Sequence, residues 1–414
     1  MKFKLTALEK QWILYDVGNS AFVLLVSTIL PIYFNYLGDK AGLSSVDYLA
    51  YWGYAVSVST LIVAFLGPVL GSIADVQNYK KRLFAGSMIL GVISCILLGI
   101  APSWLWFLCI FVVAKTAYSV SLIFYDAMLT DVTTDERMDT VSSNGYAWGY
   151  IGSCIPFILS LLVVLNYDKL NLAMSHAMFI AFLITGSWWL ISSLPLLQNY
   201  KQTYYISMQE HIVHNSFSRL GRTFSEITRD KKILFFLLAF FFYIDGVYTI
   251  IDMATAYGQS LGLDSTGLLL ALLLTQIVAF PCALIFGSLS KKASSVTLIK
   301  ICILAYTGIA LYAIKLDTQL DFWILAVLVG MFQGAIQALS RSYFAQIIPA
   351  EKSGEYFGIM DICGKGASFF GTFLVSFISQ LSGSTNAGVG SLSVMFLLGF
   401  FFFGQSAKFQ TNRK

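Results

Sequence analysis

The sequence predicts an all-α membrane protein, with twelve transmembrane helices arranged as two pseudo-symmetric six-helix halves. Three observations predict it. The 414 residues are 57% hydrophobic and only 12% charged, with a mean hydropathy of +0.75. A soluble domain is about 45–50% apolar and about 25% charged, so this chain lacks the polar surface to cover a soluble globule. Apolar runs of about 20 residues recur along it, each long enough to cross about 30 Å of hydrocarbon as a helix. The second half of the chain also echoes the first.

In order, the spans are expected at about 12–37, 49–74, 83–101, 104–129, 143–165, 174–197, 233–258, 265–290, 296–314, 322–346, 356–380 and 387–407. The first run, from about Trp12, is too long for the apolar core of a signal peptide, and no small-residue cleavage site follows it, so it reads as span one. Residues 1–197 form the N-terminal half, 198–232 a linker and 233–414 the C-terminal half.

Twelve spans put both termini on one side of the membrane. Lys and Arg favour cytoplasmic loops and so identify the side. Of 26 such residues, 20 fall on the loops and ends of one side, among them Lys2, Lys80, Lys81, Arg82, Arg413 and Lys414. Only Lys40, Lys169 and Lys315 fall on the other; Lys115, Arg341 and Lys365 lie in or at the ends of spans. Both termini are therefore expected in the cytoplasm. The same asymmetry accounts for the net charge of +4 without nucleic acid.

Within the linker, Phe217, Leu220, Phe224 and Ile227 recur at helical spacing, with Arg219, Arg222 and Arg229 among them. This reads as an amphipathic helix on the inner membrane surface, facing anionic headgroups. The six cysteines are spread through apolar runs with no C-x-x-C pair, so they read as small buried hydrophobes.

The repeat places Thr133-Thr134-Asp135-Glu136 against Pro349-Ala350-Glu351-Lys352, at an offset of 216 residues. Gly71-Ser72-Ile73-Ala74-Asp75 before Lys80-Lys81-Arg82 likewise answers Gly287-Ser288-Leu289-Ser290 before Lys291-Lys292. Two related six-span halves joined by a central loop are the arrangement of major facilitator transporters. The stretch Gly67 to Arg82 resembles the loop signature of that superfamily: Gly71 for close helix approach, Asp75 as a cap or latch across the halves, and the basic trio as a headgroup anchor. Val76 stands where the usual Arg would follow the Asp, and Lys291 stands where the second Asp would be, so the second latch is expected to be degenerate.

Three further segments carry a closer resemblance. They are Tyr15-Asp16-Val17-Gly18-Asn19-Ser20, Tyr243-Ile244-Asp245-Gly246-Val247-Tyr248, and Gly334-Ala335-Ile336-Gln337-Ala338-Leu339-Ser340-Arg341 with Ile348-Pro349 after it. With Phe124-Tyr125-Asp126-Ala127 and the Gly145–Gly152 stretch, they resemble the vacuole-effluxer-like (autophagy-related permease) family of the major facilitator superfamily, over nearly the whole chain. The resemblance implies twelve spans and, from the fungal members, export of amino acids. The compact loops look like those of a bacterial member, which implies the inner (plasma) membrane.

The residues can be read without the family. Eight charges lie in or at the ends of apolar runs: Asp16, Lys115, Asp126, Asp245, Asp252, Arg341, Asp361 and Lys365. A charge at bilayer depth costs about 3 kcal/mol on insertion scales, so such residues face water or a partner. In this fold spans one, four, seven and ten line the central cavity. On span four, Lys115, Ser119, Leu122 and Asp126 share one stripe. Lys115 sits about 16 Å along the helix from Trp104, near the midplane, and Asp126 about 16 Å further on. Asp245 and Asp252 share a face of span seven; Gln333, Gln337 and Arg341 share a face of span ten; Asp16 and Asn19 lie at i, i+3 on span one. Lys115 and Asp245 at similar depth form the constellation a zwitterion needs, with Asp252, Gln333, Gln337, Asn19, Tyr118 and Tyr248 as further contacts for substrate. Their mutual neutralisation as a structural interlock is the alternative. Asp16, Asp75, Asp126 and Arg341 read as gating or capping groups, and Asp361 with Lys365 as a local pair at i, i+4.

Proton coupling is a separate expectation, with Asp245 and Asp252 as carriers and Asp126 third. The Phe235-Phe236 and Phe400–Phe403 runs are expected to face lipid. No H-E-x-x-H or G-x-S-x-G motif occurs, and Gly364-Lys365-Gly366 lacks the spacing of a P-loop, so an enzyme, a cofactor and a metal site are not expected. The function expected is secondary transport of a small solute by a monomer through alternating access. An amino acid or other zwitterion is the first substrate class. An amphiphile such as a lysolipid, siderophore or cell-wall fragment is the second, and a non-transporting sensor of the same fold is the alternative outside transport.

Overall fold

The computed structural model describes residues 4–207, 212–260 and 262–411, with some helix side chains left out, Phe217 and Gly366–Phe369 among them. Lys2, Arg413 and Lys414 lie outside the described residues. Among the described residues, twelve helices are long and apolar enough to cross a membrane: Ala7–Lys40, Ala50–Ala74, Tyr79–Ile100, Trp104–Val132, Asp135–Leu165, Met174–Asn199, Lys231–Ala254, Leu270–Leu289, Ser295–Ala313, Gln319–Ile347, Ala350–Ser382 and Thr385–Phe409. We refer to them as spans one to twelve.

Their ends follow local rules. Thr6 and Glu9 form a capping box on span one, and Thr318 and Asp321 form another on span ten. Ser44, Ser103, Asp264 and Ser294 each accept a backbone N–H at a helix start. Span one bends at Thr28, whose hydroxyl donates back to the Leu24 carbonyl. Span five starts at Asp135, eight residues before the position the hydropathy marks, because a polar first turn continues the helix past the apolar run.

Spans one to six pack as one bundle and seven to twelve as another. Small residues set the closest approaches, as expected where lipid offers no hydrophobic drive between helices. In the N-half, Gly145, Gly149 and Gly152 of span five face Asp16, Ser20 and Val17 of span one. In the C-half, aromatic rings fill the seam between spans seven and twelve. Phe236 and Phe403 are fully buried, and Phe235 stacks on Phe402 and Phe409. The lipid-facing expectation for these runs is thus corrected: of the Phe400–Phe403 run only Phe401 is exposed. Helical phase, not the run itself, decides which ring meets lipid.

The halves meet along two related seams on the face that carries the termini. In one, Gly67 and Gly71 of span two cross Gly354 and Gly358 of span eleven. A Cβ on Gly358 would stand 2.8 Å from the Gly67 carbonyl oxygen, and one on Gly354 2.5 Å from that of Gly71. In the other, span five meets span eight, and Thr140 donates to the Gly287 carbonyl at 3.1 Å.

The linker helix, Ile212–Arg229, is amphipathic, but its docking corrects the membrane-surface reading. Leu220 and Ile227 are buried, while Phe224 is exposed. Arg219 donates to the Ser72 hydroxyl at 2.6 Å and to Glu355 at 3.2 Å, so the helix bridges spans two and eleven. Lys352 pairs with Glu226 at 2.6 Å.

Candidate functional site

The seal on the termini face is built from span ends. Asp75, just past span two, accepts the Gly354 and Glu355 N–H groups at 2.7 and 2.9 Å. These are orphan donors of the first turn of span eleven, so Asp75 acts as an N-cap supplied by the opposite half. Beside it Lys80 is fully buried, 3.1 Å from Asp131 and 2.8 Å from the Ser353 hydroxyl. Asp131 also accepts from Tyr200 at 2.5 Å and from the Thr203 and Tyr204 N–H groups. The headgroup-anchor reading of the basic trio therefore fails for Lys80; Arg82 alone of the three is exposed.

The second copy lacks the Asp75 latch, since Lys291 stands at that position, and a different acid ties its seam: Asp139 of span five accepts from Ser295 and Ser342, both at 2.5 Å, and from Gln346 at 3.3 Å. Asp139 and Glu355 are 216 residues apart, the repeat offset, and both are buried between the halves. Asp139 was not among the expected site residues, and that offset is the signal that could have found it.

Above the seams, Arg341 of span ten enters the N-half. Its guanidinium donates to Asp126 at 3.0 Å, to Asp16 at 3.3 Å, and to the Ser142 hydroxyl and carbonyl at 2.9 and 3.1 Å. It lies 4.4 Å from the Tyr146 ring centroid, 4.6 Å from Trp12 and 5.4 Å from Tyr125. Gly145 makes the entry possible, since a Cβ there would stand 2.6 Å from Asp16 Oδ2 and 3.1 Å from the guanidinium.

Over this floor, polar groups of both halves keep part of their surface exposed. Lys115 is half-buried on span four, within electrostatic reach of Asp252 of span seven and Lys365 of span eleven. Asp252 is exposed. The two have matching depth: Asp252 lies eight residues from the helix end at Ser260, about 12 Å, and Lys115 eleven from Trp104, about 16 Å. Asp361 and Lys365 pair at 2.6 Å on span eleven, and both remain partly exposed. Tyr118 and Tyr248 are half-buried, as are Tyr146 and Tyr150; Gln337 reaches the Tyr150 hydroxyl at 3.4 Å.

Three sequence-predicted contacts fall elsewhere. Asp245 does not face Lys115. It is fully buried against span eleven, where Oδ1 accepts from the Gly371 N–H at 3.1 Å and from Thr249 at 3.3 Å. Its Oδ2 meets no hydrogen-bond partner among the described residues. Asn19 is buried and bonded locally to the Tyr15 carbonyl and Asp16. Gln333 is also buried. Seven residues along span seven is within about 20° of two full turns, so Asp245 and Asp252 do share a face; what differs is the neighbour, since span eleven packs against that face at Asp245 and leaves Asp252 exposed.

The chain matches the family described as vacuole effluxer Atg22 like, over residues 9–136 and 129–408. It belongs to that family. It is 42% identical to the MFS-type transporter YxiO of Bacillus subtilis (strain 168), itself described as uncharacterized, over 96% of this chain and 94% of that one. A more distant relative is autophagy-related protein 22-1 of Aspergillus fumigatus, 25% identical over 65% of this chain and 48% of its own length. Among solved structures, the fucose:proton symporter FucP of E. coli has the same fold, with a TM-score of 0.70 at 14% identity and 97% coverage of both chains. This member of the Atg22-like family is thus an integral multi-pass membrane protein, a secondary transporter of the major facilitator superfamily and not an enzyme.

Proposed function

We propose that this protein moves a small zwitterion, an amino acid or a close analogue, across the inner (plasma) membrane of a bacterium as a monomer, both termini lying in the cytoplasm. The observation that carries the reading is the Lys115–Asp252 pair. One member comes from each half, the two are within electrostatic reach of one another and keep exposed surface, and they lie above a floor sealed by the Arg341 contacts. Lys115 offers a cation for a carboxylate, and Asp252 offers a carboxylate for an ammonium. Two such groups on opposite halves let a bound solute pull the halves together, which alternating access requires. The family's description as effluxers supports export. In this reading Asp252 carries the coupling proton when no ammonium neutralises it, and Asp245 is the second carrier.

Counterflow in proteoliposomes across a panel of amino acids tests it. Flux of at least one amino acid is expected, with Lys115→Ala and Asp252→Asn each weakening its apparent affinity by about tenfold or more, in line with about 1.5–3 kcal/mol for a hydrogen bond to a charged group. Flux unchanged in both variants would overturn the site. Flux for no amino acid, with flux for a lysolipid, would favour the amphiphile.

A further inference from the structure

The pocket around Arg341 has the chemistry of a ligand site. Three rings, Trp12, Tyr125 and Tyr146, stand within 5.4 Å of the guanidinium carbon. Two carboxylates, Asp16 and Asp126, and the Ser142 oxygens take its donors. Every wall belongs to spans one, four and five of the N-half, while the guest belongs to span ten of the C-half. Aromatic rings plus carboxylates are the recognition chemistry of an organic cation, because ring faces and carboxylates attract it and the rings exclude competing water.

Two of the walls hold one another through contacts that do not involve the guest. The Trp12 and Tyr125 rings stack at 4.4 Å, and the Trp12 indole N–H donates to the Tyr125 carbonyl at 3.0 Å. Trp12 and Tyr125 are fully buried. Asp126, with 28% of its side chain exposed, is the wall this pocket shares with the space above it. When the halves separate on the termini face, Arg341 leaves with the C-half. The pocket then holds two carboxylates close together and no cation, which is costly in a low dielectric unless another cation enters.

We propose that Trp12, Tyr125, Tyr146, Asp16 and Asp126 form a binding site for the ammonium or guanidinium end of the transported solute, a site that Arg341 fills in the sealed state. Solute cation and Arg341 compete for one cage, so solute binding there favours the open termini face. The inference rests on the alternating-access reading above and adds a second station to it, below Asp252.

The probe is ethylguanidinium, with ethylurea as a neutral control, on purified full-length protein in nanodiscs. In Arg341→Ala, ethylguanidinium should raise the unfolding temperature saturably, ethylurea should not, and Asp16→Asn in the same background should weaken binding at least about tenfold. In the wild type, spin labels at positions 82 and 351, one on each half, should move apart on adding ethylguanidinium, and Asp16→Asn should abolish that shift. An unshifted distance at concentrations that saturate Arg341→Ala overturns the proposal, because the cage is then only a hole left by the truncation. So does the absence of saturable stabilisation in a folded Arg341→Ala. If that variant does not fold, Arg341→Lys replaces it; a weaker guest should let ethylguanidinium open the face at lower concentration than in the wild type. None of these readouts needs flux, so failed counterflow with a positive cage result would reject the transport reading alone.

Discussion

Asp75 accepts the backbone N–H of Gly354 at 2.7 Å, so a residue at the end of one half caps a helix that begins the other half's seam. The geometry joins two orphan donors to one carboxylate, and it exists only while the halves touch. Asp75→Ala should therefore loosen the seal more than the fold. We expect the 82–351 spin-label distance to lengthen, with about 1–2 kcal/mol lost from the seal, the usual worth of an N-cap.

The same carboxylate makes the seal sensitive to pH. Burial pushes the Asp75 carboxyl up to about 7, against the pull of the Lys80 charge and of the Glu355 and Gly354 N–H groups. Opened to water it returns toward the ordinary carboxylate value of about 3.9. The sealed state thus binds this proton more tightly, so its contribution is complete at low pH and is lost as pH rises through about 7. The sealed population should fall between mildly acidic and mildly alkaline buffer. A pH response that Asp75→Asn leaves intact would assign the titration to another group.

Backbone contact at the Gly67/Gly71 and Gly354/Gly358 crossing leaves no room for a side chain. Gly358→Val should hold the halves apart on the termini face while each half still folds, since the clash lies between halves. Counterflow should fall to background, and the unfolding temperature should change by only a few degrees. A full loss of folded protein would show that the seam also stabilises the halves.

Arg219 ties the linker helix to Ser72 and Glu355. Arg219→Ala leaves Glu355 buried without that cation, which costs about 1–3 kcal/mol. Hydrogen exchange across the linker helix should speed up by about tenfold or more, while exchange within spans one and five stays unchanged. Equal protection in the variant would mean that Leu220 and Ile227 alone hold the helix.

Asp245→Asn is the contrast to the cavity variants. The amide oxygen still accepts from the Gly371 N–H and Thr249, so substrate affinity in counterflow should match the wild type. Loss of flux driven by a pH gradient, with counterflow kept, would mark Asp245 as a proton carrier. Weakened substrate affinity would return it to the substrate site.

Much of the architecture was legible in the sequence, because hydropathy alone carries it. Twelve apolar runs of spanning length must become helices when the surrounding medium offers the backbone no partners. The places of Asp75 and Gly71 at the contact between the halves were legible from their position in a repeated signature. The rest depended on helix phase. Asp245 and Asn19 lie on helices that line the cavity, yet both point into helix contacts. Lys80 reads as a headgroup anchor by its charge but is buried by its neighbours Asp131 and Ser353. Asp139 and Asp131 were missed because an acid at a span end looks like ordinary loop charge until its partners are known.

By itself the sequence determined that the chain crosses a membrane as two related halves and that Asp16, Lys115, Asp126, Asp252 and Arg341 need water or partners there. The cost of charge and of unpaired backbone in hydrocarbon settles both without any knowledge of packing. Only the tertiary structure decided which charges meet, Arg341 with Asp16 and Asp126 across the halves, and which merely come within electrostatic reach, Lys115 and Asp252 rather than Lys115 and Asp245. Those juxtapositions join residues distant in sequence, so no local pattern of residues encodes them.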